Sequence, residues 1–292
     1  MGIFGLFFFF LGVVFPARGQ DNQARFDVSC TIDWIRGELS AEAGFDLAGA
    51  GITLPTGRFL AEETLEEALP LLLLPYLLSL RVDSNSIIRN LADQLEVSPE
   101  ELDILCRKEG KITPSLSTDL KRMNGRFTLP LEKISALLAR HTRHSEPARP
   151  LLPVQTASYT GIIIIADKEL PVHGRKALEF MKPCIFPKIW DSDMNLVYDR
   201  NMTGTNPIAR YTVPENIFRP TPSGLDGDLA AFVGPNPLRI LAREVYGIYP
   251  SDPVIDREDA LKILSNENNR RLLQEGRFVL VLNEKELKHP LP

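Results

Sequence analysis

Apolar and polar positions divide the chain into strongly patterned stretches separated by proline, glycine and small polar residues. Ile162 to Ile165 is an unbroken β-branched run, which suits a strand buried on both faces. A second apolar stretch, Cys184 to Trp190, leads into Asp191-Ser192-Asp193-Met194-Asn195 and then Leu196-Val197-Tyr198, so the spacing predicts strand, tight turn, strand. Upstream, 26–34 alternates as a strand and 37–51 reads as a second one with a turn or bulge. Residues 58–79 place Phe59, Leu60, Leu65, Ala68, Leu69, Leu72 and Leu73 at helical spacing; Pro70 and Pro75 predict a kink or two helices there. A short strand at 80–83 and a turn at 84–86 follow, then a segment at 87–95. Ser98-Pro99-Glu100-Glu101 opens a helix, with Ser98 as cap, Pro99 at the first helical position and Glu101 reaching back. Strand and loop at 110–120 and a helix at 131–141 complete the first half. In the second half the pattern predicts an insertion at 168–182 with a short helix at 176–181, and a surface loop at 201–227. A strand at 238–246, whose apolar spacing also fits a short helix, a helix opened by Asp256, a last strand at 277–282 and a fraying tail follow.

Ile3 to Phe15 is almost wholly apolar but shorter than the roughly 20 residues of a membrane span, and it fits the apolar core of a secretory signal. Ala17-Arg18-Gly19 places small residues where a signal peptidase reads, predicting cleavage before Gln20; a retained short anchor is the alternative. The stretch from His144 to Pro153 carries three prolines and marks the clearest boundary. The expected organisation is a signal peptide at 1–19, an N-terminal helix-and-strand domain at 20–142, a Pro-rich linker at 143–156 and a C-terminal α/β domain at 157–292. The fold class is α+β: two α/β lobes, each a small mixed or antiparallel sheet packed with helices.

Composition adds two constraints. With 44% hydrophobic and 24% charged residues the chain has the makeup of a folded globular protein. A formal net charge of −5 and the lack of any Lys/Arg-rich run argue against a nucleic-acid partner. Cys30, Cys106 and Cys184 are widely spaced and match no zinc pattern, so buried free thiols are expected, with pairing left open.

The candidate chemistry is thin. Asp191, Asp193 and Asn195 stand at alternate positions like the start of a calcium loop, but Leu196 occupies the glycine position and Met202 the bidentate glutamate position. A hairpin turn is the better reading, and Asp226-Gly227-Asp228 is likewise read as a turn. His141 and His144 have helical spacing without a third ligand nearby, and His173-Gly174-Arg175 reads as an exposed loop in which Arg175 offers an anion contact. Glu62-Glu63 and Glu66-Glu67 form a solvated helix face. No nucleophile elbow, zincin, P-loop or dinucleotide fingerprint is present. No catalytic, cofactor-binding or metal residue is therefore assigned, and no cofactor is expected.

Three groups of residues carry a resemblance. They are Gly37 to Gly44 (GELSAEAG) with Pro55 to Glu62 and Leu80-Arg81-Val82-Asp83-Ser84; Tyr159 to Tyr198; and Pro250 to Ile255 with Glu258-Asp259-Ala260 and Phe278 to Leu282. Together they resemble the LPP-twenty lipoprotein family and the N-terminal part of the flagellar assembly protein T (FlgT) family. The resemblance implies a periplasmic or outer-membrane-associated protein attached to flagellar or motility machinery. The function expected is that of an exported, non-enzymatic envelope protein acting through contacts with other envelope or flagellar proteins or with itself, with no transmembrane segment after signal cleavage. The alternatives are a periplasmic binding module for peptidoglycan or a small ligand, using loops 167–182 and 200–228, and a hydrolase that gathers Asp191, Asp193 and His173 in one pocket.

Overall fold

The structure, a computed structural model, describes residues 25–139, 145–203, 209–219 and 224–292; the signal-peptide region and the His141/His144 pair lie outside them. The first half contains β1 (Phe26–Asp33), β2 (Glu38–Asp46), α1 (Arg58–Leu78), α2 (Ile88–Asp93), α3 (Pro99–Glu109), β3 (Lys111–Leu116), β4 (Arg122–Pro130) and α4 (Leu131–Leu138). The second half contains β5 (Ile162–Ala166), β6 (Glu169–Pro171), β7 (Leu178–Phe180), β8 (Ile189–Asp191), β9 (Leu196–Tyr198), β10 (Arg210–Thr212), α5 (Gly227–Val233), β11 (Leu238–Tyr246) and β12 (Asp252–Ile255). It ends with α6 (Arg257–Leu264), α7 (Glu267–Gln274), β13 (Phe278–Leu282), α8 (Glu284–Leu287) and β14 (Lys288–Pro290). There are thus two domains, each a β-sheet packed with several helices. Among the described residues no helix is long and apolar enough to cross a membrane.

The N-terminal sheet runs β14-β1-β2-β4-β3. Strict alternation on β4 buries Met123, Gly125, Phe127 and Leu129 and turns Arg122, Asn124 and Arg126 outward. Gly125 admits α1: a Cβ there would stand 2.5 Å from a Leu65 methyl. The C-terminal sheet is mixed, ordered β10-β13-β5-β11-β12-β8-β9. The isoleucine strand β5 lies between β13 and β11, parallel to both, with Ile162 opposite Phe278 and Leu238. Ile163, Val279, Val281, Val233, Ile217 and Leu225 form a buried cluster on which Leu229 and Phe232 of α5 pack.

The chain divides into two compact units. One holds Ala41–Leu73, Lys111–Phe127 and the described residues up to Ser29; the other holds Cys30–Ser40, Leu74–Gly110 and Thr128–Pro292. The second unit thus includes the end of β1 and the whole C-terminal sheet. Within it, Ile185 and Phe186 donate their backbone N–H groups to the carbonyls of Arg81 and Val82, and Tyr249 donates to Ser84. The Leu80–Ser84 stretch thus docks through its backbone, where a strand at 80–83 was expected; its own pairing is a single bridge, Arg81 with Ile87.

Other expectations are also corrected. The two-helix alternative is excluded: α1 runs as one helix through both prolines, because Leu65, Leu69, Leu73 and Leu77 bury one continuous stripe whose burial offsets the missing donors. Within 176–181 the chain forms β7 at Leu178–Phe180, antiparallel to β6, instead of a helix. The 201–227 loop contains β10, which pairs in parallel with β13. The tail does not fray: β14 pairs antiparallel with β1, His289 facing Ile32, and Leu291 donates to the Cys30 carbonyl.

Candidate interaction site

The predicted Asp-rich turn is a hairpin tip closed by its own side chain. Asp191 Oδ1 accepts from the backbone N–H of Asp193 (3.0 Å) and of Asn195 (2.7 Å), while Met194 adopts φ 59°. Asp193 is taken by Arg257 at 2.6 Å. His173 pairs separately, its Nδ1 2.7 Å from Glu244 Oε2. Asp191, Asp193 and His173 thus each have their own partners. Asp226-Gly227-Asp228 opens α5 instead of forming a turn. Among the described residues no group of three metal-ligating side chains converges.

Around His173 the chain assembles a row of rings that no local pattern announced. A bulge between Ala242 and Glu244 shifts the register of β11 against β12, placing Glu244 opposite Val254 and Tyr246 opposite Asp252. The His173 ring centroid lies 6.1 Å from that of Tyr246, which lies 5.7 Å from that of Trp190. Two of the rings are held by carboxylates: His173 by Glu244, and Trp190 through its Nε1 donating to Asp252 Oδ2 at 3.1 Å. Asp252 is fully buried, and burial pushes its carboxyl up to about 6 despite the hydrogen bonds from Lys188 N and Trp190.

The outer face of the N-terminal sheet carries an open trough of about 780 Å³ lined by Asp27, Ser29, Glu42, Thr113, Asn124 and Arg126 among others. Gly44 makes it possible. A Cβ there would stand 2.5 Å from Asn124 Oδ1 and 3.4 Å from Arg122 Nη2. Without that side chain Arg122 on β4 reaches across β2 to Asp27 on β1 at 2.6 Å.

The segment 145–159 is an extended strap bound to α6 and α7. Ser145 N donates to the Asn201 carbonyl at 2.8 Å, and Val154 N to Ser265 Oγ at 3.0 Å. The buried Asn269 clamps its end: Oδ1 accepts from Tyr159 N at 2.9 Å, and Nδ2 donates to the Ala157 and Lys262 carbonyls at 2.9 and 3.0 Å. Asn266 and Asn268 add donors to Ser158 Oγ. Pro147 is buried. Between these anchors the chain bends at Leu151 and Leu152, whose side chains are 99% and 84% exposed. Leaving a leucine in water forgoes about 1.5–3 kcal/mol of burial. Proline spacing marked this stretch as a boundary, but nothing in it signalled that Asn269, over a hundred residues later, would fix it.

Residues 25–137 match the family model described as the N-terminal domain of Treponema pallidum Tp0624, and residues 161–284 match the model described as the second domain of the same protein. The chain is similar to these two domains in that order, and the strap falls between the matched spans. No curated protein matches the chain.

Proposed function

We propose that the chain is an exported cell-envelope protein, periplasmic or outer-membrane-associated, that acts by contact with other proteins and not by catalysis. The observation that carries this reading is the strap: an ordered, multiply anchored segment that holds two leucines in solvent. Exposed apolar side chains on a fixed backbone mark an interaction site more strongly than the same side chains on a loose loop. The apolar stretch Ile3 to Phe15 supports export. The resemblance to the LPP-twenty and FlgT families supports a place beside flagellar machinery. Fractionation together with gene deletion tests the proposal: the protein should be found in the envelope, and its loss should alter motility or flagellar structure. A cytoplasmic protein, or a deletion strain with normal flagella and no envelope partner on crosslinking, would sink it.

The aromatic row favours a second reading, a periplasmic binding module for cell-wall glycan. His173 lies in the 167–182 loop, and the ring centroids stand 5.7 and 6.1 Å apart. Saturable binding to isolated peptidoglycan that is lost in Tyr246→Ala would support this reading; absence of saturable binding removes it.

A further inference from the structure

We propose that the Leu151–Leu152 bend is a recognition tip that inserts into an apolar pocket with an acidic rim on a partner protein. This rests on the contact reading above and names the chemistry of the partner. Three features of the strap argue for it.

The first is fixed geometry. The strap is tied to Asn201 at its start and to Ser265, Asn266 and Asn269 at its end, so little chain entropy remains to be lost on docking. The second is backbone chemistry. Pro147, Pro150 and Pro153 recur at every third position and remove the N–H donors there, so the segment makes a poor added strand for a sheet edge. Recognition therefore falls to side chains, and the most exposed of these are Leu151 and Leu152. The third is charge. Exposed Arg149 precedes the tip, and the cavity of about 300 Å³ at the strap's base is lined by Arg149, Arg270 and Arg271 against Glu146 and Glu267. The exposed guanidinium of Arg149, two residues before Leu151, calls for carboxylates around the receiving pocket. A bilayer is the weaker occupant. Two leucines supply far less apolar surface than an interfacial helix.

The test places a photo-crosslinking amino acid at position 151 of the full chain in its native cells, with control placements at exposed Leu95 and Phe218. The expected result is an adduct with a different protein, mapped by mass spectrometry to an apolar segment flanked by Asp or Glu. Leu152→Asp and Arg149→Glu should each lower its yield by about tenfold or more. Both side chains are exposed, so the thermal midpoint should not move, and a fall in the midpoint would mark a lost adduct as unfolding; Leu152→Met and Arg149→Lys in the full chain then decide by retaining the adduct or losing it. An adduct with lipid alone, one with a second copy of this chain, or one indifferent to Arg149→Glu overturns the proposal. Adducts at 95 or 218 with none at 151 overturn the tip and leave the contact reading standing; no adduct at any position removes both.

Discussion

Asp252 is fully buried with donors on both carboxylate oxygens, Lys188 N at 2.9 Å and Trp190 Nε1 at 3.1 Å. Burial outweighs these bonds and raises its pKa from 3.8 to about 6. The folded state thus holds the proton more tightly than the unfolded chain. The resulting stabilisation is fully present below the unfolded value and lost as pH rises through about 6. The stability of the wild type relative to Asp252→Asn should fall by about 3 kcal/mol between roughly pH 4 and 7. Denaturant unfolding across that range measures it, and a flat difference contradicts the assignment. The thiols titrate in the same direction for the same reason. Burial pushes Cys30 and Cys106 up to about 12, and Cys184, whose backbone N–H and carbonyl are both bonded to the Tyr211 hydroxyl, higher still. The native protein should therefore resist thiol reagents near pH 8 and expose all three cysteines only on unfolding. Fast labelling of the folded protein would refute that. The isolation of the three cysteines was visible in their spacing, but the buried state of Asp252 was not, since nothing within Ser251-Asp252-Pro253 marks its carboxylate for burial.

Two elements with a strong internal signal formed where their residues indicated. Ile162, Ile163 and Ile164 of β5 are buried and Ile165 half-buried, and α3 has the reciprocal cap in which Ser98 Oγ accepts from Glu101 N and Glu101 Oε2 accepts from Ser98 N. The three-residue strands β6, β7, β10 and β14 carry no such signal. Each exists because a partner strand supplies its hydrogen bonds: β6 and β7 pair with each other, three residues being too few to show a period, while β10 and β14 pair with strands distant in sequence. The strap follows the same logic. Asn269→Ala removes three bonds made by one buried amide and leaves Tyr159 N and two carbonyls without that partner. It should cost about 3 kcal/mol and accelerate hydrogen exchange at Tyr159 without disturbing β5. Unchanged exchange at 159 would show that the clamp does not order the strap.

At the scale of the molecule, β14 near the end of the chain completes a sheet begun by β1. β14 pairs with Thr31, Ile32 and Asp33 of β1, Trp34 N donates to the Leu287 carbonyl, and Leu291 N to that of Cys30. Removing 288–292 should destabilise the fold by about 3 kcal/mol and expose the amides of β1 to exchange; an unchanged thermal midpoint would show that β14 is dispensable. Local sequence sufficed for what depends on neighbours along the chain: the β-branched core strand, the capped helix and the hairpin tip at 191–195. Long-range folding settled the continuous α1, the paired tail, the bulge before Glu244 that assembles the ring row, and the anchoring of Leu151 and Leu152 in solvent. Each of these rests on hydrogen bonds or burial supplied by residues far away in the chain, which no window of sequence contains.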